Sequence, residues 1–372
     1  MLDSAFKEIP DGDFFTAGAD DFQDFIVDGN VDIDQTRGTR RTAELTLLNK
    51  NGGFTPDASN ADYDGKFYIN RNVRLYRGVV LAGGTVLYAP IGTFMIDVID
   101  TINERNMSVV NLTLSDHWKK LTKSLVVRTK TYASGTSINS IILAEAASAG
   151  ADYPLAPSLD PMFTRDISAR QLSSKLVLER GVSRGDVLKD LANKYGIDLY
   201  YNQEGRLVSN DRKAPKDATE VWHFYSTTDP SKLGMLTSVR KTISDDNLYN
   251  HVFVIGLGDP KVPVYYEKKS TDPAAVFNTD KIGDRVKILE SQMWKSQSVV
   301  NAAGDRLWDK RYNVFEEIVI DTICNPGLEA DDVIRITEPQ LSKVSGLYRI
   351  KQINVPLTTS KQTIRVARDY YF

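Results

Sequence analysis

Apolar and polar positions alternate along two nine-residue stretches of the chain in nearly the same pattern. The first stretch, residues 92–100, reads GTFMIDVID, and the second, residues 346–354, reads GLYRIKQIN. The corresponding positions are Gly92 and Gly346, Phe94 and Tyr348, Ile96 and Ile350, and Ile99 and Ile353. A two-residue period is typical of a half-buried β-strand, and a leading glycine suits a tight turn or a bulge. The pattern therefore predicts two similar strands near opposite ends of the chain.

The similarity extends to the segments around these two strands. The accompanying strand-like segments are 41–48, 72–76 and 107–114 for the first stretch, and 317–323, 332–336 and 362–368 for the second. Four strands in the same order, with turn residues in corresponding gaps, predict two related β units in one chain. The alternative is a chance likeness between two unrelated meanders, because the pattern Gly-aromatic-x-Ile is common in β proteins.

Helical patterns lie mainly between the two β units, at 137–149 and 183–196, with a third at 298–312. The pattern at 183–196 is the clearest, because Ser183 is a favourable N-cap and Gly196 is a favourable stop. A hairpin pattern around residues 202–205 follows it directly. A helix followed by a hairpin between two β units predicts an inserted α+β module.

Together these patterns predict an α+β fold that is mainly β. Two related β-barrel or β-sandwich domains would flank the inserted α+β module. The expected segments are an acidic N-terminal arm (1–35), a first β domain (36–130), the inserted α+β module (131–232) and a second β domain (233–372) with a repeat core at 316–370.

Composition narrows the class of protein. The chain has 372 residues, 41% of them hydrophobic and 26% charged, which is ordinary for soluble globular protein and enough for two or three domains. A net charge of -3 argues against a dedicated nucleic-acid-binding protein, which is normally basic. Cys324 is the single cysteine, so neither an intrachain disulfide nor a cysteine-based zinc site is expected. The sequence has no signal-peptide pattern and no membrane-spanning apolar run, and we expect synthesis in a cytosol.

Three motifs suggest chemistry at first sight. Residues 28–34 (DGNVDID) have the spacing of the first ligands of a calcium loop, but Ile33 and Thr39 stand where that loop needs Gly and Glu. A strand with acidic residues on its outer face is the simpler interpretation. Residues 255–258 (IGLG) lack the third glycine of a dinucleotide loop. The basic run after Trp118 is explained more simply by a solvated surface than by a nucleic-acid site. We therefore expect no catalytic, cofactor-binding or metal-binding residues.

Several short motifs occur in an informative order. They are VDID at 31–34, RRTAELTL at 40–47, LYRG at 75–78, PIGTFMI at 90–96, GDVL at 185–188, YNQEGRL at 201–207, NHVFVIG at 250–256, NPGLEADDV at 325–333 and GLYRI at 346–350. In this order they resemble the tail-tip or baseplate hub family of siphophages, the minor tail proteins found in phages of actinobacteria. The resemblance covers most of the chain after the acidic arm.

The resemblance implies a structural role. Hub proteins of this kind carry two tube-type β domains in one chain, so a homotrimer presents six β units and continues the sixfold tail tube. It implies a virion protein at the tail tip that is not an enzyme. Its implied partners are the distal tail protein, the tape measure protein and the tip or fibre proteins, with DNA only as passing cargo during ejection.

Two other functions stay open from the sequence. A hexameric distal tail or adhesin-carrier protein would have one tube domain per chain, and the internal repeat would then be coincidental. A wall-glycan-degrading enzyme could use a pair of its 49 acidic residues, although pairs such as Asp331 and Asp332 are expected by chance at this abundance.

Overall fold

The computed structural model describes residues 22–56, 67–80, 83–104, 107–150, 170–211, 219–226, 235–244, 248–258, 262–275, 277–292, 294–309 and 316–367. Residues 1–21, which make up most of the expected acidic arm, lie outside these ranges. Within them the fold is α+β and mainly β, in agreement with the sequence pattern.

Five antiparallel strands form the first β unit. They are β1 (Ile26–Asp34), β2 (Arg41–Leu48), β3 (Asn72–Val80), β4 (Val86–Glu104) and β5 (Met107–Ser115). Neighbouring strands pair in the order β1-β2-β5-β4-β3. Alternate side chains are buried along β2, including Ala43, Leu45 and Leu47, which is the period of a strand with one face on the core.

An insertion follows β5. It contains α1 (Trp118–Lys123), β6 (Lys130–Tyr132), α2 (Ile138–Ser148), β7 (Leu176–Leu178), α3 (Arg184–Tyr195), β8 (Ile197–Tyr201) and β9 (Leu207–Asp211). The Ser183 hydroxyl accepts the N–H of Asp186 at the start of α3, and Gly196 ends this helix with φ +67°. The insertion has its own apolar core, to which Trp118 of α1 belongs.

Two further strands, β10 (Glu220–Tyr225) and β11 (Leu236–Ile243), precede a second insertion. That insertion contains β12 (His251–Gly256), β13 (Val264–Lys269), α4 (Thr279–Ile282), β14 (Val286–Ser291) and α5 (Gln297–Asp309). Helix α5 packs against β12 and β13, and Trp294 is fully buried in the core between them. This core is separate from those of the first insertion and the main sheet.

The glycines of the motif at 255–258 have a packing role in the second insertion. A Cβ atom at Gly256 or Gly258 would lie within 2.8 Å of the backbone oxygen of Trp294, so only glycine allows this close approach. The chain then continues into strand β13 and not into a helix. The arrangement differs from a dinucleotide-binding turn, in which a helix N-terminus faces the phosphates.

The last four described strands belong to the second β unit. They are β15 (Glu316–Ile323), β16 (Val333–Glu338), β17 (Val344–Pro356) and β18 (Lys361–Ala367). With β11 they pair in the order β11-β15-β18-β17-β16, all antiparallel. This is the order β1-β2-β5-β4-β3 of the first unit, strand for strand.

The two units share one eleven-stranded sheet and one apolar core. They join where β1 pairs with β17, and β10 extends the far side of the second unit by pairing parallel to β16. Among the described residues, the end strands β11 and β3 do not pair with each other. The sheet is therefore not closed into a barrel, whereas the sequence predicted two β-barrel or β-sandwich domains.

Three expected boundaries differ from the structure. Ile26–Asp34, within the expected arm, is strand β1, because Val31 and Ile33 alternate into the core. The first insertion begins near Trp118, before the expected boundary at 131, because this tryptophan packs in the core of the insertion. The expected second β domain contains the second insertion, between β11 and β15, because Trp294 and α5 build a core of their own.

Candidate assembly surface

Strand β1 joins the two β units by pairing antiparallel with the C-terminal half of β17. We call this contact the internal junction. The side chains on its core face are Val31, Ile33, Ile353 and Val355, each no more than 1% exposed. Its central pair is Ile33 opposite Ile353. On the outer face, Nε2 of Gln352 donates to Oδ1 of Asp32 at 2.9 Å. The junction is therefore an interior strand pair and a continuous part of the core.

Two backbone hydrogen bonds fix the pairing pattern of the internal junction. The N–H of Leu357 donates to the carbonyl of Gly29 at 2.9 Å, and the N–H of Gln35 donates to Lys351 at 3.0 Å. Hydrogen-bonded and non-hydrogen-bonded pairs alternate along an antiparallel ladder. The pair formed by Asp32 and Asn354 is consequently a non-hydrogen-bonded pair, with its side chains close together.

A buried charged cluster lies at one end of the internal junction, where both β units meet the first insertion. Arg41, which is fully buried, donates to the Tyr201 carbonyl at 2.6 Å and pairs with the carboxylate of Glu329. The backbone N–H of Arg41 also donates to Asp116 at 2.9 Å. One side chain thus connects β2, β8 and the loop after β15.

Arg40 extends the same cluster. Its guanidinium lies 3.8 Å from the ring centroid of Tyr200 on β8, and its Nη1 lies 3.5 Å from Oδ2 of Asp331. It also donates to the backbone carbonyl of Ala330. Because the side chain is 3% exposed, these contacts replace water as the partners of a buried cation.

Several acids of the cluster hold protons unusually tightly. Burial raises the pKa of Asp332 to about 7 and outweighs the hydrogen bond from the Glu329 backbone. Burial also raises the pKa of Asp116 to about 6, although the backbone N–H groups of Arg41 and Trp118 lower it. The charge of the junction is therefore sensitive to pH near neutrality.

The histidines have structural contacts. Nε2 of His117 lies 3.1 Å from Oδ1 of Asn72, which ties the first insertion to β3. In the second insertion, the two ring nitrogens of His251 lie 3.0 Å from Asp284 and from Glu267. Both imidazoles hold neighbouring segments together. In the described part of the chain, no group of three or more His, Cys, Asp or Glu residues is arranged to hold a metal ion.

The sequence-derived positions lie on β4 and β17. Phe94, Ile96, Tyr348 and Ile350 are at most 1% exposed, and all four belong to the common core. Ile353 is buried in the internal junction, whereas Ile99 is only partly buried. Gly346 has φ +133°, and at Gly92 a Cβ atom would overlap the ring of Phe94. The two glycines thus have different reasons to be glycine.

Strands β4 and β17 carry a β-bulge at corresponding positions. The register of β4 on β5 shifts between Ile96 and Val98, and the register of β17 on β18 shifts between Ile350 and Gln352. Ile96 pairs with Leu114 and Ile350 with Val366 just before the shift. A bulge is a specific local irregularity, so its position is a stronger likeness than strand order alone.

Each of these two bulges lies beside a residue with a left-handed backbone conformation. That residue is on the segment that leads into the neighbouring strand, β3 or β16. Asn70 has φ +69° and its N–H donates to the Ile96 carbonyl at 2.9 Å. Asp331 has φ +79° and its N–H donates to the Ile350 carbonyl at 3.0 Å. Positive φ is uncommon outside glycine, and Asn and Asp are the residue types that best tolerate it.

The correspondence between the two units includes β1 and β11, which the four-strand repeat predicted from the sequence left out. The register of β1 on β2 shifts between Ile26 and Asp28, and that of β11 on β15 shifts between Leu236 and Ser238. Their sequences, IVDGNVDID and LTSVRKTI, have little in common. Strand β11 comes directly before β15 in the strand order of the second unit, and this order could have identified it. The second insertion separates β11 from β15 and hides the order in the sequence.

Two of the strand edges that are uncovered in the described part of the chain correspond to the two strands of the internal junction. Strand β11 pairs there only with β15, and residues 98–104 of β4 pair only with β5. Large apolar side chains are exposed along both edges. They are Val98 at 51%, Ile102 at 37% and Ile243 at 57% exposure. Uncovered edges of this kind are templates for pairing with another chain.

Comparisons with known proteins identify the fold. No family model matches the sequence, and no curated protein matches it. The tail protein from Neisseria meningitidis MC58 is similar in structure, with a TM-score of 0.65 and 12% identity over 93% of both chains. The 43 kDa tail protein of prophage MuSo2 from Shewanella oneidensis has a TM-score of 0.60 and 9% identity over 92% of this chain and 93% of that one. The chain has the fold of phage tail proteins.

A third similar structure comes from a secretion system. It is an E. coli component of the type VI secretion system, described as similar to T4 bacteriophage tail proteins gp27 and gp5. The TM-score is 0.52 and the identity 7%, over 93% of this chain and 74% of that one.

Among the described residues, no helix has the length and apolar character needed to cross a membrane.

Proposed function

We propose that this chain is a structural virion protein of a phage tail tip, a hub that assembles as a ring of three copies. The observation that carries the proposal is the internal repeat. The two units in one chain have the same strand order and the same two bulges, one on β1 and β11 and one on β4 and β17. In both units a residue with positive φ lies beside the bulge on β4 or β17. Three chains contain six such units, the number that a sixfold tail tube requires at its end.

The comparisons support this role. Two tail proteins, one of them from a prophage, share the fold over more than nine-tenths of each chain. The secretion-system component with a related fold is described as similar to T4 tail proteins. The resemblance of the sequence motifs to siphophage minor tail proteins points in the same direction.

In this role the ring would join two symmetries and perform no catalysis. One side would continue the tube through six similar β units, and the other would offer a threefold face, because the insertions of the two units differ. Its partners would be the distal tail protein on the tube side, and the tape measure and tip or fibre proteins near the axis. DNA would pass through the ring during ejection.

Counting copies in intact particles tests the proposal. We expect three copies for each ring of six tube subunits, measured by quantitative mass spectrometry and by the symmetry of electron cryomicroscopy maps. Six copies would instead favour a hexameric distal tail or adhesin-carrier protein. A chain that is absent from tails, and that hydrolyses wall glycan when purified, would replace the structural role with an enzymatic one.

A further inference from the structure

One difference between the two β units lies at the edges of the corresponding strands β17 and β4. In the second unit, the C-terminal half of β17 is covered by β1. In the first unit, the corresponding part of β4, residues 98–104, has no such cover within the described part of the chain. Strand β11, which stands in the second unit where β1 stands in the first, pairs there only with β15. One chain thus contains one complete junction and the two separated halves of another.

We propose that β11 of one copy pairs with residues 98–102 of β4 in the next copy, in the register of β1 on β17. The partner is a second copy of this chain, and the contact is an external version of the internal junction. The pairing follows from the described strands, and only the number of copies in the ring rests on the proposed function.

The bulges and ladder ends determine the expected register. Ile33 pairs with the first residue of β2, Arg41, and Ile243 pairs with the first residue of β15, Glu316, so Ile33 and Ile243 correspond. Ile353 and Ile99 each lie three residues after the isoleucine at the bulge of their strand. The internal pair Ile33–Ile353 therefore becomes the external pair Ile243–Ile99.

The remaining pairs follow by counting along the ladder. The internal pair Asp32–Asn354 corresponds to the pair Thr242–Asp100 between copies. The internal pair Asn30–Pro356 corresponds to the pair Arg240–Ile102. The internal hydrogen bond from Leu357 to Gly29 becomes one from the N–H of Asn103 to the carbonyl of Val239. As in the internal junction, Thr242 and Asp100 form a non-hydrogen-bonded pair.

Exposure distinguishes the open edges from the closed junction. Ile33 is 1% exposed, whereas its counterpart Ile243 is 57% exposed. Val98 and Ile102 add apolar surface on the β4 edge. Pairing between copies would place a neighbouring strand beside Ile243, Val98 and Ile102, as the pairing of β1 with β17 does within one chain.

The charges of the two edges are complementary. Arg240 on β11 would lie opposite Ile102, with Asp100 and Glu104 on the same face at the diagonal positions. Opposite charges at cross-strand and diagonal positions stabilise an antiparallel pair and oppose incorrect registers. All three side chains are exposed in the isolated chain.

The contact is directional and closes a ring. Each copy offers β11 to one neighbour and β4 to the other, which is a heterologous interface. Repetition of the internal junction between copies places every β unit in the same relation to the next. The edges of β11 and of residues 98–102 are then covered in every copy when the last copy meets the first.

A disulfide between copies tests the register. In a full-length Cys324→Ser background, which removes the native thiol, Thr242→Cys and Asp100→Cys place two thiols at a non-hydrogen-bonded pair, where Cα atoms are close enough for a disulfide. The matched control is Thr242→Cys with Thr101→Cys, whose side chains point to opposite faces. Mild oxidation of the concentrated protein, and of particles that carry the variants, is followed by a non-reducing gel.

We expect covalent oligomers up to the closed ring from the first pair, and at least tenfold less product from the control. A ring of three copies that forms without this crosslink would overturn the pairing and leave the proposed hub intact. A crosslinked ring of another copy number would retain the pairing and overturn the three-copy hub. A chain that stays monomeric in both preparations would overturn the pairing.

A second variant addresses the same edge without cysteines. Ile243→Asp introduces a charge at a side chain that is largely exposed in the isolated chain, so we expect the monomer to fold and the ring to be lost. Ile288→Asp on β14 is the control, because Ile288 is similarly exposed, at 55%, and lies in the second insertion. Sedimentation velocity reports the assembly, and assembly by Ile243→Asp at the wild-type concentration would contradict the proposal.

Discussion

Oδ2 of Asp332 accepts a hydrogen bond from the backbone N–H of Glu329 at 2.8 Å, and this contact closes the loop between β15 and β16. The loop also supplies Glu329 to Arg41 and Asp331 to Arg40. A mostly buried carboxyl group therefore holds in place the acids that balance two buried arginines. Protonation of this group is therefore linked to the stability of the folded chain.

We predict that the free energy of unfolding falls less between about pH 4 and about pH 7 in Asp332→Asn than in the wild-type protein. Burial raises the pKa of Asp332 to about 7, above the value of about 3.9 in an unfolded chain. The folded protein therefore binds the proton more tightly, and the free energy of unfolding falls as pH rises from about 4 to about 7. Asparagine keeps the acceptor oxygen without the charge. At pH 8 we expect the variant to be more stable by on the order of 1 kcal/mol, measured by urea unfolding at several pH values; equal slopes for both proteins would contradict this.

Replacement of Arg41 should strongly destabilise the protein. Arg41→Met removes the fully buried cation that faces the carboxylate of Glu329. Because Glu329 is 27% exposed, we expect a loss near the lower end of the range of about 3–5 kcal/mol for a buried pair. The matched control is Arg335→Met. Arg335 pairs with Glu220 at 2.7 Å, but its side chain is 43% exposed, and such pairs contribute less than about 1 kcal/mol. Similar losses of unfolding free energy in the two variants would show that burial of Arg41 has no special role.

The left-handed conformation of Asn70 makes a specific prediction for two small substitutions. At most strand or loop positions alanine is at least as stable as glycine, because glycine loses more backbone entropy on folding. With φ +69° the order should reverse. We expect Asn70→Ala to be less stable than Asn70→Gly by about 1 kcal/mol. Denaturant midpoints of the two variants measure this, and an alanine variant equal to or above the glycine variant would refute it.

Gly92 should not tolerate a methyl group. Its Cβ would overlap the ring of Phe94, and overpacking in a core costs about 1–3 kcal/mol. Gly53→Ala is the control, because the nearest atom to its Cβ is 3.5 Å away and its φ of -64° suits any residue. Adding Phe94→Leu to Gly92→Ala should recover part of the loss of thermal stability. No recovery would mean that the ring is not the obstacle.

The sequence predicts a helix or strand well where one or two residues determine where that element begins or ends. Ser183 and Gly196 bracket α3 as expected, because a capping hydroxyl and a left-handed glycine act within a single turn. The strands at 92–100 and 346–354 are parts of β4 and β17, but residues 92–96 and 348–350 are buried in succession, and burial alternates only after the bulges. The α+β, mainly β class follows from such segments.

The internal junction could not be predicted in the same way. Its partners β1 and β17 are separated by most of the chain, and the acidic residues of β1 indicate a solvated arm more strongly than an inner strand. The charged cluster has the same difficulty, because Arg41, Tyr201 and Glu329 come together only through the sheet order. Nothing local marks an arginine that will be buried.

The pairing of β1 with β17 also has a consequence for the order of synthesis. The N-terminal strand can bond to β2 soon after it emerges, but its other edge must wait for residues 352–356. At translation rates of about 5–20 residues per second, that wait is roughly 16–65 s. During this time β1 presents an open edge to any nascent or finished copy nearby. Cells that make this protein at high concentration should therefore accumulate strand-swapped oligomers, and slower production should reduce them.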